Sequence, residues 1–145
     1  MERTLIIIKP DGMQQHLENK IISRYEKAGL KIIAKKIVTA DKNLLRQHYS
    51  AHVSKHFYPG LERFMMESPL LAFILEGENA IAKAREVTGA TDPAKAVKGT
   101  IRGDLSNDNQ EKADKEKRAI RNLVHASGNK EEAEKEIKLW FPEIG

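Results

Sequence analysis

Apolar positions run along this chain in two rhythms: short unbroken runs, and stripes spaced three or four residues apart. Thr4-Leu5-Ile6-Ile7-Ile8 is an unbroken, largely β-branched run closed by Pro10-Asp11-Gly12, a turn signal. Such a run predicts a strand buried on both faces. Ile21, Ile22, Tyr25 and Ala28 follow at helical spacing, with Gly29 where a helix C-terminus is capped. Leu30 to Thr39 predicts a second strand, and Asp41 stands as N-cap to a helix carrying Leu44, Leu45, His48 and Tyr49. Leu61, Phe64 and Met65 mark a further helical turn or two before Ser68-Pro69, and Leu70 to Leu75 is a third strand. Asn79 to Val87 is amphipathic through Ala80, Ile81 and Ala84 and ends near Gly89, and Asp92-Pro93 opens a short helical turn with Pro at its first position. Ser106 to Arg121 has almost no apolar content and mixes both charge signs, which predicts a solvated loop or a short exposed helix. Leu123-Val124-His125-Ala126 predicts a fourth, short strand. Asn129 and Glu132 form a capping pair for a last helix whose buried stripe is Ala133, Ile137 and Trp140.

Sheet under helices, as α/β or α+β, is the architecture this order implies; periodicity alone does not fix strand direction. No repeat or linker divides the 145 residues, so a single domain over 1–145 is expected. The absence of cysteine excludes disulfides, a thiolate nucleophile and Cys-ligated metal sites. No apolar stretch approaches the ~20 residues of a membrane span. Met1-Glu2-Arg3-Thr4 lacks the pattern of a secretory signal, so a cytoplasmic location is expected. A net charge of +4 favours anionic partners without saying whether they are polymers or small molecules.

The chain has no Gly-x-x-x-x-Gly-Lys-Ser/Thr loop, no Gly-x-Gly-x-x-Gly and no Gly-x-Ser-x-Gly. Lys9 ends a central strand, where a cation is well placed to face a crevice and bind an anion, although on spacing alone a surface lysine before a turn is the commoner explanation. Arg102 lies between Gly99 and Gly103; its planar guanidinium suits phosphate oxygens, although from sequence alone a surface ion pair is the commoner explanation. Arg85, taken singly, is an ordinary helix residue. His125 closes an apolar strand; a neutral imidazole there can serve as nucleophile or general base, although a satisfied, partly buried histidine is the commoner explanation. A flat strand sends Asn122 and His125 to opposite faces, so a site using both needs a bend between them. His48, His52 and His56 stand four apart, a spacing that on one helix aligns three imidazoles for zinc. Phe57-Tyr58-Pro59 limits that helix and no carboxylate partner is evident, so a packed or solvated face is expected rather than a metal site.

Five segments stand in an order that resembles nucleoside diphosphate kinases. They are Glu2 to Gly12, Phe57-Tyr58-Pro59-Gly60-Leu61, Gly89-Ala90-Thr91-Asp92-Pro93, Gly99-Thr100-Ile101-Arg102-Gly103-Asp104 and Asn122-Leu123-Val124-His125-Ala126-Ser127. The resemblance spans Glu2 to about Phe141. It implies an α+β fold, a ferredoxin-like four-stranded antiparallel sheet covered by helices, and a homo-oligomer, hexamer or tetramer. It implies transfer of the terminal phosphoryl group of a nucleoside triphosphate such as ATP to nucleoside diphosphates, with Mg²⁺, by a ping-pong mechanism through a phosphohistidine. His125 matches the nucleophile and Glu136 the carboxylate that orients it. Lys9, Arg85 and Arg102 match phosphate-contacting positions, with a hydroxyl from Thr91. Asn122 matches the amide on the sugar and Phe57 the aromatic under the base; stacking accepts any base, so broad base specificity is expected. No side chain is assigned to the metal. The chain departs from the family pattern in Gln15-His16-Leu17-Glu18-Asn19, in Gly128 where an Asp is common, and in a longer segment from Ser106 to Arg121.

A competing class is an RNA-binding module, since a basic chain with this element order also fits an RNA-recognition sheet. The first strand has no aromatic residue, and the whole chain has three Tyr, four Phe and one Trp. Sequence-specific nucleic-acid binding and membrane partners are therefore not expected.

Overall fold

The computed structural model of the chain describes residues 1–144; Gly145, the last residue of the expected domain, lies outside them. Four strands form one antiparallel sheet in the order β2-β3-β1-β4. β1 (Glu2–Ile8) pairs with β3 (Leu70–Gly77) from Glu2↔Gly77 to Ile8↔Leu71. These central strands are the two continuous apolar runs, and Leu5 to Ile8 are fully buried. β2 (Lys31–Val38) forms one edge, with exposure recurring along it. β4 (Val124–Ala126), the other edge, is three residues long and pairs His125 with Ile7. The antiparallel ladders make the fold α+β, as the resemblance implied.

Because side chains alternate across a strand, β1 feeds two cores. Ile6 and Ile8 pack with Phe73 and Leu75 beneath α2 (Glu18–Lys27) and α5 (Ala80–Thr88), through Ile21, Tyr25, Ala80 and Ala84. Leu5 and Ile7 pack with Ala72 and Ile74 on the opposite face, beneath α3 (Lys42–His48), α4 (Tyr58–Met65) and α8 (Lys130–Trp140). Of the helices, the short α1 (Pro10–Gln14) follows β1 directly.

The caps fall where the sequence puts them. Asp41 Oδ1 accepts from Leu44 N at 2.8 Å and Asn129 Oδ1 from Glu132 N at 2.8 Å. Asp92 caps a 3₁₀ turn over Pro93–Lys95. The Asn129–Glu132 pair departs from a reciprocal box in one respect. Glu132 Oε2 accepts from Gly128 N, one residue before the cap, and a Cβ at 128 would collide with that carboxylate.

The charged segment 106–121 is a closed loop carrying α7 (Gln110–Lys115), and it follows α6 (Ile101–Leu105). Ser106 Oγ donates to the Arg121 carbonyl at 2.6 Å, joining its ends. The Arg118 guanidinium holds both oxygens of Asp108, at 2.6 and 2.8 Å, which bracing keeps the Asp108 carboxyl down to about 2.

Phe73 is fully buried and meets the Tyr25 ring edge-on at 6.1 Å. Phe73→Ala is expected to cost about 3–5 kcal/mol. Urea titration should show a lower midpoint at unchanged slope; a change below 1 kcal/mol would contradict this packing.

Candidate active site

The bend required between Asn122 and His125 is a single buried residue. Leu123 has φ +74° and is fully buried, and Val124 N donates to the Asn122 carbonyl two residues back at 2.9 Å. This is a γ-turn of the strained hand, which a Leu adopts only when its surroundings impose it. Leu123 N donates to Asp11 Oδ2 at 3.0 Å, and the Leu123 carbonyl accepts from Lys9 N at 2.8 Å. Arg102 grips both flanks, with Nε on the Asn122 carbonyl at 3.1 Å and Nη2 on the Val124 carbonyl at 2.6 Å. Asn122 and His125 consequently both line one cleft of about 1190 Å³.

His125 Nε2 lies 2.8 Å from Glu136 Oε1 on α8. Carboxylates only accept, so Nε2 carries the proton and Nδ1 keeps the lone pair. Ser127 Oγ donates to the same Glu136 oxygen at 2.6 Å, giving the nearly buried carboxylate a second donor. His48, at the end of α3, stands edge-on to His125 with ring centroids 4.5 Å apart. Ligating atoms of His48, His125 and Glu136 lie within 4.8 Å of one another. They do not form a ready metal cage, because Glu136 Oε1 already takes two donors and His48 Nδ1 accepts from the Trp140 indole at 3.0 Å.

Lys9, Arg85 and Arg102 line one cleft. Lys9 Nζ donates to Asn122 Oδ1 at 3.0 Å, and Asn122 Nδ2 donates to the Thr91 carbonyl at 2.9 Å. Burial and the Arg102 charge pull the Lys9 ammonium down to about 8, against the opposing pull of Asp11. Burial pulls Arg102 down to about 10, still charged at neutral pH, and burial raises the Asp11 carboxyl. Arg102 commits three N–H groups to carbonyls, the third reaching Gly89 at 3.2 Å, so two remain for a ligand. Arg85 is exposed on α5 and lines the same cleft, as does Thr91. Two like charges forced together in a partly dry crevice describe an anion site.

Phe57, 44% exposed, sits at the mouth just before α4. The helix of aligned imidazoles does not form: α3 ends at His48, and His52 and His56 lie in the turns beyond it, each ring beside Phe57. Two contributors take their places in the cleft only through the fold. His48 approaches His125 only through tertiary packing. Segment 106–121 supplies Gln110, Ala113, Asp114 and Lys117 to Ile120 as one wall of the cleft. Its backbone at Lys117 and Ala119 passes 3.9–4.0 Å from where a Cβ on Gly60 would stand, next to Phe57. The longer segment thus borders the cleft, a placement that needed the fold.

A family model described as nucleoside diphosphate kinase matches residues 2–144. A nucleoside diphosphate kinase of Nocardioides sp. is 46% identical over 140 residues, covering 97% of this chain and 96% of the relative. One of Saccharomyces cerevisiae is 44% identical over 97% of this chain and 85% of the relative. Among solved structures, a transition-state mimic of the Borrelia burgdorferi enzyme with bound vanadate and ADP superposes with TM-score 0.91 at 36% identity. It covers 97% of this chain and 86% of that one. An NDP kinase from Pyrobaculum aerophilum gives TM-score 0.89 at 34% identity, over 97% and 95%.

Because the free Lys9 loses its charge near pH 8, affinity for inorganic tripolyphosphate should weaken as pH rises through that value. The expected loss is up to about tenfold between pH 7 and pH 9. Lys9→Met should bind more weakly and show a flat profile over that range. Calorimetric titration decides; a wild-type affinity equally flat from pH 7 to 9 would remove Lys9 from the anion site.

Proposed function

The chain belongs to the nucleoside diphosphate kinase family, phosphotransferases that move a terminal phosphoryl group from nucleoside triphosphates to nucleoside diphosphates. On that footing we propose that the cleft described above is the active site and His125 its nucleophile. The observation that carries the assignment is the 2.8 Å contact between His125 Nε2 and Glu136, which leaves Nδ1 as the ring's available lone pair. In the first half-reaction Nδ1 attacks the γ-phosphorus, forming the N–P bond as the bond to the β–γ bridging oxygen breaks and the diphosphate leaves. The ring acquires imidazolium character, which the Glu136 carboxylate offsets through Nε2–H. In the second half-reaction a terminal oxygen of a different diphosphate attacks the same phosphorus, and the N–P bonding pair returns to Nδ1. One cleft serves both partners in turn, which is ping-pong kinetics.

Transfer of this kind demands positioning and charge neutralisation more than covalent help. Lys9, Arg85 and Arg102 supply the positive charge along the phosphates and Thr91 a hydroxyl. Asn122 faces the sugar, and Phe57 stacks on the base with little discrimination. Mg²⁺ fits this cleft as an ion carried in by phosphate oxygens, which is its usual mode in nucleotide enzymes. It would neutralise phosphate charge, and Glu132, a carboxylate of the cleft wall whose Oε2 accepts from Gly128 N, would be the side chain to help hold it. No helix among the described residues is long and apolar enough to cross a membrane. The proposal places the enzyme in the cytoplasm as a homo-oligomer, a hexamer or tetramer.

Incubation with γ-labelled ATP and no acceptor should yield acid-labile, base-stable label on the protein. His125→Ala should abolish it, and label persisting in that variant would reassign the nucleophile. Glu136→Gln keeps the shape but loses the charge, and should lower kcat by roughly 10²–10⁴. EDTA should stop turnover and Mg²⁺ restore it; light scattering gives the subunit count.

A further inference from the structure

His48 has no part in the chemistry so far described, yet its ring is 4.5 Å from that of His125. Its Nδ1 lies 3.0 Å from Trp140 Nε1. An indole N–H is a donor and nothing else, so His48 Nδ1 must hold a lone pair for this bond to exist. The imidazole then carries its proton on Nε2, and a second proton on Nδ1 would meet the indole hydrogen head-on. Trp140 is 2% exposed in the core between α8 and the sheet, which leaves the indole little freedom to turn away. The groups around His48 come from four elements. They are Tyr49 beyond α3, His125 on β4, Lys9 after β1, and Lys135, Glu136 and Trp140 on α8. Glu136, the one anion among them, is already committed to His125 and Ser127, and Lys135 donates to Ser50 Oγ at 3.0 Å.

We infer that His48 is a positioning residue kept neutral by the Trp140 indole, so that no cation forms beside His125 as the nucleophile takes on positive charge. This inference rests on the reading of His125 as nucleophile. The bond gives His48 two linked properties. Its tautomer is fixed, and its protonation requires breaking a partly buried hydrogen bond. Burial, with the charges on His125, Lys9 and Lys135, pushes the His48 pKa in the same direction, downward. Without the indole, burial and the neighbouring charges still hold the imidazole down, but nothing reserves its Nδ1 lone pair, so its protonation moves to higher pH than in wild type. Its charge would then oppose the imidazolium character that forms on His125 during attack on the γ-phosphorus, and transfer would fail in mild acid.

Trp140→Phe keeps the ring and deletes the N–H. Relative to wild type, its kcat should show an additional loss between pH 8 and pH 5.5, as the protonated fraction of His48 rises. In the double variant Trp140→Phe/His48→Asn, where residue 48 has no proton to gain, this additional acid limb should vanish. A Trp140→Phe profile parallel to wild type would overturn the inference, as would an acid limb that survives His48→Asn. Should Trp140→Phe fail to fold, ¹⁵N spectra of imidazole-labelled wild type give the same decision. His48 should stay singly protonated on Nε2 from pH 8 to 5.5; protonation at Nδ1 anywhere in that range overturns it. Acid-labile labelling of His125 in wild type tests the nucleophile separately.

Discussion

The site depends on one buried residue held in a conformation its side chain disfavours. Leu123 at φ +74° costs of the order of 1–3 kcal/mol, and nothing local repays it. The repayment comes from three side-chain and main-chain partners that converge from elsewhere: Asp11 on its N–H, Lys9 N on its carbonyl, and Arg102 on the carbonyls either side. Without this turn, the short β4 would continue straight into Asn122, and that amide would face away from His125. Two of the residues that hold the turn, Lys9 and Arg102, also line the cleft, so a shared set of contacts builds the backbone and much of the electrostatics. The Leu side chain, fully buried in the core under α2 and α5, anchors the turn from below.

The same arrangement explains why the cleft is poised for an anion. Lys9 and Arg102 are both drawn out of water by the need to reach the turn; the Arg102 charge makes that of Lys9 more costly, and Arg85 does the same to Arg102. The result is a lysine near pKa 8 and an arginine that has spent three of its five N–H groups on carbonyls. A polyphosphate relieves the repulsion and accepts the remaining donors. The strain at Leu123 and the crowding of cations are thus two aspects of a fold that gives up stability at the site for binding.

Much of this was legible in the residues themselves. The central strands are written as unbroken apolar runs, and caps at Asp41, Asp92 and Asn129 mark helix starts because a short side chain can satisfy free N–H groups only there. Side-chain alternation also makes a bend between Asn122 and His125 the condition for any site that uses both. Its form was not legible, because Leu is the wrong residue for a positive φ; only Asp11 and Arg102, far away in sequence, make it tolerable. The end of α3 at His48 was similarly hidden. Spacing aligned three histidines, whereas packing against Trp140, 92 residues on, drew the first to the site and left the other two beside Phe57. The wall formed by segment 106–121 had no periodic signal, since its order comes from an Asp108–Arg118 brace and not from an apolar stripe.

Glu136 ties the orientation of His125 to the centre of the fold. A carboxylate this buried needs donors, and here they are His125 Nε2 and the Ser127 hydroxyl, both on one oxygen. Ser127 is in turn fixed to β1, its N–H donating to the Leu5 carbonyl at 3.2 Å and its Oγ accepting from Leu5 N at 3.3 Å. Leu5 lies in the most buried stretch of the sheet. A rotation of the His125 ring would therefore strip a buried carboxylate of one donor and load the other onto the central strand. The nucleophile's tautomer is consequently set by the same constraint that keeps a charge soluble inside the protein: the carboxylate cannot be buried without the proton on Nε2, and the proton on Nε2 leaves Nδ1 to the phosphate.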